Sequence, residues 1–353
     1  MTVLHLAAGC WREGGGLSEV VAQLVRAQAQ AGHRVRLVFM DARPEHPLLA
    51  RCRELGAEVR AVHAPLDNPF FFSPALAKAL PGWMRGCDCV HLHGCWTWPV
   101  WEAARCARRA GIPYIHSPHG SLDPVRRRFG RMRKGVAWRL FDRRTLSGAA
   151  WLHATSEREA EWIRNALGAA TPPVRIIPLG VDGELLDSVP PQPRTKSFLF
   201  LGRLHPLKGL DLLLEAWRRA ALAPEWRLTL AGPREGARFG LAPGVEVLPP
   251  CTGAEKVRLL KSAACLVLPT RSENFGLVVA EALWCRTPVV CTKGAPWPEL
   301  GRFWVEPAPD ALATALRQMA AMAVGDRETA FRSAFDSARR RFDWGRLAGA
   351  FLE

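Results

Sequence analysis

The strongest constraint on the fold of this chain is a regular alternation of short apolar runs with stretches of helical periodicity. A first series of strand candidates is Val3–Leu6, Val35–Phe39, Val59–Val62, Cys89–Leu92, Tyr114–His116, Trp151–Ala154 and Val174–Ile177. A second series is Ser197–Leu201, Arg227–Ala231, Val245–Leu248, Cys265–Leu268 and Pro288–Cys291. Helical patterns such as Leu17–Ala31 lie between them. This alternation predicts an α/β fold class built from βαβ units with parallel sheets.

The 353 residues are more than one ordinary core needs and predict two domains. The proline-rich, polar segment Ser188–Ser197 separates the two series of strands. We therefore predict a first doubly wound domain over residues 1–187, a linker over 188–196 and a second domain over 197–341. Because ligands of such sheets bind beyond the carboxyl ends of the strands, the predicted site is a cleft between the two domains.

The composition argues against a membrane-spanning or secreted protein. No window approaches the ~18 continuous apolar residues of a spanning helix, and the start MTVLHLAAG has no basic region typical of a signal peptide. We expect a soluble, cytoplasmic protein. The ten cysteines are scattered and predict buried free thiols and not a disulfide framework.

A net charge of +15 predicts attraction to polyanions, and its densest run is the basic stretch Arg126–Arg144. Apolar side chains, among them Val136 and Leu140, interrupt its nine basic residues. One interpretation is a segment that contacts an anionic membrane surface, which would make the protein peripheral on the inner face of the cytoplasmic membrane. The other is a solvated helix face.

The stretch CDCVHLHGC, Cys87–Cys95, raises the question of a metal site because ligand-type residues occupy alternate positions. In a parallel strand covered on both faces, alternate positions simply face one layer of helices. Zinc sites also usually gather their ligands from separate segments. We therefore expect no metal here, and cysteines that belong to the core.

Two strand–helix junctions have residues suited to binding phosphate. Gly14–Gly16 follows the first strand, where backbone amides at a helix amino terminus can approach an anion, although a loop without a ligand fits equally well. In the second domain a strand ends at Gly202, and Arg203 and Lys208 precede the next helix. Two cations placed there can neutralise a diphosphate, whereas simple surface solvation is the alternative.

The segment LPTRSENFGLVVAEALWCRTPVV is the most specific motif in the chain. A strand ends before a loop that contains Glu273, and Glu281 follows eight residues later, inside a helix. Carboxylates at such a junction suit a ligand rich in hydroxyl groups, because each ionised carboxylate can accept several hydrogen bonds.

Taken together, these motifs resemble a family, the GT-B-fold retaining glycosyltransferases of family 4, also called group 1. The resemblance rests on EGGGLSEVVAQL, HLHGCWTWPVWEAA, SPHGSLDP, HATSEREAEWI, IPLGVD, LGRLHPLKGLDLLLEAW, SENFGLVVAEALW, TPVV and TKGAPWPEL. It implies two Rossmann-like domains facing each other across a cleft. It also implies transfer of a sugar from a nucleotide sugar to an acceptor with the anomeric configuration kept, and no metal ion or other cofactor.

The resemblance also assigns roles in donor binding. Arg203 and Lys208 would hold the donor diphosphate and stabilise the leaving group as negative charge develops. Glu281 would accept hydrogen bonds from the ribose hydroxyls. The other donor-binding positions are Gly15 and Gly16, which would close on the phosphates, and Glu273, Asn274, Phe275, Gly276 and Leu277, which would orient the sugar hydroxyls and the diphosphate.

The acceptor side and the end of the chain follow from the same resemblance. His119 would lie against the sugar near the reacting carbon, which makes it catalytic together with Glu273, Arg203 and Lys208. His93 and Trp96 would lie on the acceptor side. Residues 342–353 resemble a last helix that packs back on the first domain.

One position departs from the family pattern. Arg286 stands where glycine is usual, so either the turn differs here or a left-handed backbone costs ~1 kcal/mol of stability.

We therefore predict a hexosyltransferase that uses a UDP- or GDP-linked sugar and a glycan or lipid-linked acceptor, in the biosynthesis of cell-surface polysaccharide such as lipopolysaccharide, capsule or exopolysaccharide. Three alternatives remain. The net charge allows a nucleic-acid-binding or other polyanion-binding protein, although no recognisable reader module is present and no nucleic acid is expected. The chain could also be another nucleotide-sugar enzyme such as an epimerase, or a donor-binding protein without activity.

Overall fold

The computed structural model of the chain describes residues 1–8, 16–41, 47–63, 70–234, 240 and 242–353. They form two compact units. The N-terminal unit comprises Met1–Leu179 together with Trp344–Glu353, and the C-terminal unit comprises Gly180–Asp343. Each unit contains one parallel sheet covered by helices, as the alternation of strands and helices predicts.

The strands in chain order are β1 (Thr2–Ala8), β2 (Arg34–Asp41), β3 (Glu58–His63), β4 (Cys89–His93), β5 (Tyr114–Ser117), β6 (Trp151–Ala154), β7 (Val174–Ile176), β8 (Ser197–Leu201), β9 (Arg227–Ala231), β10 (Val245–Leu248), β11 (Cys265–Leu268), β12 (Val289–Thr292) and β13 (Trp304–Val305). The predicted strands are confirmed to within two residues at each end. Only β13 was not predicted, because two residues are too few to show a periodicity.

The helices in chain order are α1 (Gly16–Gln30), α2 (Pro47–Glu54), α3 (Pro74–Met84), α4 (Trp98–Ala110), α5 (Pro124–Arg128), α6 (Arg131–Ala137), α7 (Arg143–Ser147), α8 (Glu157–Leu167), α9 (Gly183–Ser188), α10 (Leu210–Ala220), α11 (Gly253–Ser262), α12 (Leu277–Trp284), α13 (Pro309–Ala321), α14 (Val324–Arg341) and α15 (Trp344–Leu347). None of those in the described part of the chain combines the length and apolar character that a membrane span requires.

The boundary between the units lies between residues 179 and 180, earlier than the predicted end of the first domain at 187. The physical reason is α9, which packs against α11 and α12 of the C-terminal unit. At the other end of the chain, residues 344–353 belong to the N-terminal unit. Phe351 is buried there, with its ring centroid 5.5 Å from that of His91.

The order of strands fixes where each sheet can bind a ligand. The N-terminal sheet has the order β3-β2-β1-β4-β5-β6-β7, and the C-terminal sheet has the order β10-β9-β8-β11-β12-β13. The order in which successive strands are added therefore reverses once in each parallel sheet. It does so between β1 and β4 in the N-terminal sheet and between β8 and β11 in the C-terminal sheet. A crevice opens at the carboxyl ends of such strand pairs, which is where doubly wound sheets bind their ligands.

The cores explain the burial of the cysteines. Cys87 and Cys95 pack in the same apolar cluster as Val90 and Leu92 of β4. Cys89 is likewise buried, and it is a free thiol. Burial raises the pKa of the Cys89 thiol to about 11, so it is uncharged at neutral pH. The prediction that these cysteines belong to the core is confirmed.

Candidate active site

In the C-terminal unit, the loop after β8 forms one part of the candidate site. A single 3-10 turn, Pro206–Lys208, leads to Gly209, whose φ is 69°. A Cβ atom at Gly209 would lie 2.0 Å from the carbonyl oxygen of Pro269, so only glycine fits. This close approach packs the Lys208 loop against the loop that follows β11.

The loop after β11 is buried and rigidly bonded. The amide of Glu273 donates a hydrogen bond to the Gly294 carbonyl over 2.8 Å, and the indole of Trp297 donates to the Phe275 carbonyl over 2.5 Å. Gly276, with φ 85°, precedes α12 and no side chain caps this helix. Because the N-cap residue is glycine, it has no side chain of its own to cap the first amides of α12, and a helix amino terminus of this kind suits an anion.

Two lysine–glutamate pairs meet at this junction. Lys208 forms an ion pair with Glu273, and the Lys256 Nζ lies 2.6 Å from the Glu281 Oε1. Both glutamates are buried, at 7% and 6% exposure. A lysine ammonium has three donors, so Lys208 can serve Glu273 and a phosphate oxygen together.

The structure thus brings Lys208, Glu273 and the first turn of α12 together, as predicted. The remaining residues of this segment, Asn274 and Phe275, are buried in the same loop. Arg203 lies half-buried in the β8 loop. Lys256 was missed, because no local pattern links a residue of α11 to a glutamate 25 positions later.

Arg286 adopts a left-handed backbone with φ 57°, as a glycine-like turn requires. Its guanidinium lies 2.6 Å from Glu328 and over the ring of Phe335. The sequence allowed either a different turn or a strained one, and the structure has the strained one. The contacts of the Arg286 side chain with Glu328 and Phe335 offset part of the cost of the left-handed backbone.

A pocket of about 280 Å³ near the carboxyl end of α12 is basic, but its cations are already bonded to the protein. Arg194 is an example, since its two terminal nitrogens donate to oxygens of Leu260, Ala263, Thr287, Cys285 and Arg286. These bonds tie the segment before β8 to the helices around it. The basic character of this pocket is therefore explained by the packing of the C-terminal unit.

In the N-terminal unit, one face of the sheet carries a row of histidines. His5 of β1 is in register with His91 of β4, and His93 is in register with Ser117 of β5. Paired residues of parallel strands point to the same face, so these side chains meet. These histidines lie in separate stretches of the sequence, and the strand register shows that they form one group.

Two chains of hydrogen bonds run through this face. In the first, His91 Nε2 contacts Ser117 Oγ over 2.7 Å, and Ser117 Oγ contacts His153 Nδ1 over 2.9 Å. His153 Nε2 then donates to the Ile177 carbonyl over 2.7 Å. In the second, His5 Nδ1 contacts His93 Nε2 over 3.0 Å, and His93 Nδ1 contacts His119 Nε2 over 3.0 Å.

The predicted acceptor-side residues take different places. His93 is 1% exposed, and both of its ring nitrogens are bonded to other imidazoles. Its ring therefore has no nitrogen left for an acceptor, in contrast to the acceptor-side position that the resemblance implies. Trp96 is half-buried with φ 67°, and its amide donates to Asp142 over 3.0 Å.

A buried glutamate holds the His119 loop. His119 has an unusual positive φ of 51° and is followed by Gly120, whose amide donates to Glu159 Oε1 over 2.5 Å. The other carboxylate oxygen of Glu159 accepts from the amide of Thr155 over 2.8 Å and from its hydroxyl over 2.7 Å. Glu159 lies within the stretch HATSEREAEWI, but its partner 39 residues earlier could not be inferred from the sequence.

Among the described residues, His5, His91 and His93 form the one group with the composition and spacing that a metal ion requires, with ring nitrogens within 4.8 Å of one another. The ring nitrogens of His5 and His93 are already engaged in hydrogen bonds. The predicted glycine turn is only partly visible, since Gly15 lies outside the described residues and Gly16 is the first residue of α1.

The basic stretch Arg126–Arg144 forms α5, α6, a π-helical turn at Trp138–Asp142 and the start of α7. Its apolar side chains lie on the surface. Met132 is 88% exposed and Leu140 is 61% exposed. This surface therefore combines cations with exposed apolar groups. A helix face that is only solvated does not require such apolar residues.

Comparison with known proteins agrees with this arrangement. Residues 14–185 match the family described as Glycosyltransferase Family 4, and residues 195–322 match the one described as Glycosyl transferases group 1. The D-inositol 3-phosphate glycosyltransferase of Acidothermus cellulolyticus is 28% identical over 338 residues, which cover 81% of this chain and 72% of the relative.

A second relative and a solved structure extend the match. D-inositol 3-phosphate glycosyltransferase 1 of Catenulispora acidiphila is 30% identical over 319 residues, which cover 79% of this chain and 74% of the relative. The crystal structure of HepE from Anabaena in complex with UDP and glucose has a TM-score of 0.79 at 19% identity, covering 100% of this chain and 98% of that one. With two parallel doubly wound sheets and matches along both units, this chain belongs to the family 4, group 1 glycosyltransferases of the GT-B fold.

Proposed function

We propose that this protein is a retaining, metal-independent hexosyltransferase that uses a UDP-linked sugar. The observation that carries the proposal is the junction of β8 and β11, where Lys208, Glu273 and the uncapped start of α12 meet. Cations and helix amides suit the diphosphate, and buried carboxylates suit hydroxyl groups. The choice of UDP over GDP is supported by the UDP bound in the HepE structure.

In the proposed reaction, the bond between the anomeric carbon and the diphosphate oxygen breaks, and its electron pair stays on that oxygen. Lys208 and Arg203 stabilise the charge that develops there. The acceptor hydroxyl bonds to the anomeric carbon from the face that the diphosphate leaves, and its proton passes to the leaving diphosphate. Glu281 binds the ribose hydroxyls and Glu273 orients the sugar and Lys208.

Metal independence is proposed because positive charge is supplied by side chains. Thermal denaturation with UDP, GDP and NAD, each with and without EDTA, tests this. A ligand at about 100 times its dissociation constant adds about 2.7 kcal/mol of stability. We expect UDP to raise the melting temperature equally in both conditions, and loss of the shift in EDTA would contradict the proposal.

A matched pair of variants tests the site. Lys208→Ala removes a cation paired with Glu273, whereas Lys293→Ala removes an exposed cation paired with Glu306. We expect the UDP-induced shift to disappear only in Lys208→Ala. Equal shifts in both variants would place the donor elsewhere.

For the acceptor we propose a lipid-linked glycan reached at an anionic membrane surface, as in the assembly of cell-surface polysaccharide. The support is the exposure of Met132, Val136 and Leu140 among the basic residues of Arg126–Arg144. Apolar side chains insert at the interface and each cation adds ~1 kcal/mol near anionic lipid. The protein would then be peripheral on the inner face of the cytoplasmic membrane.

Sedimentation with vesicles tests the membrane contact. We expect the wild-type protein to bind vesicles that contain anionic lipid. The double variant Met132→Ser, Leu140→Ser should bind them more weakly. The control is Val324→Ser, which removes an apolar side chain that is 59% exposed in the C-terminal unit. Equal binding of all three proteins would contradict an insertion through this stretch.

A second candidate acceptor is D-inositol 3-phosphate, because the relatives from Acidothermus and Catenulispora bear that substrate in their names. Its phosphate also suits a strongly basic protein. Incubation of the enzyme and a UDP-sugar with either acceptor distinguishes the two candidates. Product from inositol phosphate alone would overturn the lipid-linked proposal.

A further inference from the structure

The second chain of hydrogen bonds begins at a buried amide. The Nε2 of His5 contacts the Oε1 of Gln28 over 2.7 Å, and His5 and Gln28 are both fully buried. From His5 the contacts continue to His93 and then to His119. The chain thus connects α1, β1, β4 and the loop after β5.

Each imidazole in this chain carries one ring proton at neutral pH. Burial lowers the pKa of His5 to about 4. Burial, and next the neighbouring imidazoles, hold the pKa values of His93 and His119 well below their usual value. A neutral imidazole has one N–H donor and one acceptor nitrogen, so the role of one nitrogen fixes the role of the other.

The amide therefore gives the chain a direction. With the amide oxygen of Gln28 facing His5, that oxygen can only accept, so in this orientation His5 donates from Nε2 and its Nδ1 accepts from His93 Nε2. By the same rule His93 Nδ1 accepts from His119 Nε2. The remaining nitrogen of His119, Nδ1, then has no proton and can only accept.

We propose that Gln28, acting through His5 and His93, fixes His119 in the tautomer protonated at Nε2, so that its Nδ1 accepts a hydrogen bond from a sugar hydroxyl. The sugar rests on the proposed function, whereas the direction of the chain does not. Gln28, His5 and His93 are positioning residues. His119, half-buried at the end of the chain, is the one that meets the ligand.

Gln28 is decisive because its amide can present either of two groups. If it turned by half a rotation, its NH2 group would donate to His5, and every proton along the chain would move to Nδ1. The chain through Ser117 has no such choice. It ends on the Ile177 backbone carbonyl, so His153 must be protonated at Nε2.

A bound metal is the rival explanation of this cluster. It would take ring nitrogens of His5, His91 and His93, and would have to displace the contacts from His5 to Gln28 or to His93. The two explanations predict different protonation, because a nitrogen that binds a metal carries no proton.

Long-range ¹H–¹⁵N correlation spectra of protein labelled in histidine provide the test, since protonated and unprotonated ring nitrogens resonate far apart. In the wild type we expect His5, His93 and His119 to be protonated at Nε2, unchanged by EDTA. A proton on Nδ1 of His119 would overturn the proposal. So would a change of the His5 and His93 signals on adding EDTA.

Variants of Gln28 test the cause. Gln28→Met removes the anchor and should mix the two tautomers of His119. The control is Gln23→Met, since Gln23 is a buried glutamine of α1 whose amide contacts Glu19. Unchanged His119 signals in folded Gln28→Met would contradict the proposal. If that variant does not fold, the wild-type spectrum still decides, because a proton on Nδ1 of His119 contradicts the proposal by itself.

Kinetics connect the tautomer to function. Loss of one uncharged hydrogen bond predicts a fall in kcat/KM of roughly five- to tenfold in Gln28→Met. Gln23→Met should keep the wild-type value. Failure of the proposed function would leave the wild-type protein inactive with every sugar donor while the tautomers remained as predicted. An active Gln28→Met variant with wild-type tautomers would instead contradict this inference and leave the proposed function intact.

Discussion

The two units place opposite kinds of chemistry at the same point of the same topology. Where the N-terminal sheet reverses its strand order, uncharged imidazoles form hydrogen-bonded chains. Where the C-terminal sheet does so, lysines and glutamates form ion pairs. The fold provides the location in both units, and the side chains decide what each location can bind.

The two places therefore suit different kinds of ligand group. A diphosphate carries charge, and cations stabilise it most strongly in a site with little water. A sugar offers hydroxyl groups, which neutral groups of defined direction can distinguish without a large desolvation cost.

Removal of a charged group from the C-terminal site should have the largest effect. Lys208→Ala or Glu281→Ala should lower kcat/KM by about a hundred- to a thousandfold, because each removes a group that the proposed function places against the donor. Steady-state kinetics with a UDP-sugar measure this, with Lys293→Ala as the control. Near-wild-type turnover in both site variants would refute the assignment.

Acid should destabilise the N-terminal unit selectively. Burial lowers the pKa values of both His5 and His116 to about 4. The unfolded chain therefore binds protons more readily, so stability is full above pH ~6.5 and is lost as the pH falls towards ~4, by roughly 3 kcal/mol for each group.

Hydrogen exchange at pH 7.5 and pH 5 distinguishes the units. The expected result is faster exchange at the lower pH in β1, β4 and β5 than in β8 and β11, after correction for the intrinsic rate. Equal acceleration in both sheets would mean that the buried histidines do not control the stability of their unit.

Glu159→Ala should destabilise the loop that contains His119. It leaves the Gly120 amide and both donors of Thr155 without their acceptor, which should cost about 2–3 kcal/mol of unfolding free energy. Urea denaturation measures the loss. Glu157→Ala, an exposed change two residues earlier in α8, should cost less than about 0.5 kcal/mol.

The smallest effect is expected at Arg286. Arg286→Gly relieves the left-handed backbone but loses the contacts with Glu328 and Phe335, so stability should change by less than about 1 kcal/mol. Arg286→Ala keeps the strain and loses the contacts, and should be the less stable of the two. The reverse order in urea denaturation would show that the strain is negligible.

The sequence was sufficient for the strands and for the local part of the site. Glu273, Gly276 and Glu281 follow one another along a strand–loop–helix segment, so their pattern is visible without tertiary structure. The partners were not predictable. Lys256, Gln28 and Glu159 reach their partners through packing of distant elements, which periodicity and local motifs do not encode.

His93 illustrates the same limit from the other direction. Its motif placed it near the ligand, and the strand did bring it to the carboxyl end of β4. Only the register with β1 and the loop after β5 revealed that His5 and His119 occupy both of its nitrogens. The motif thus predicted the end of the strand for this residue, but not the two imidazoles that it contacts.

The most direct test of the account is the configuration of the product made from an α-linked UDP-sugar in the presence of EDTA. We expect transfer to the acceptor with an α-linked product, observed as the anomeric proton signal by NMR. Product formed only after metal is restored, or a β-linked product, would contradict a retaining reaction driven by the charged side chains of the C-terminal unit.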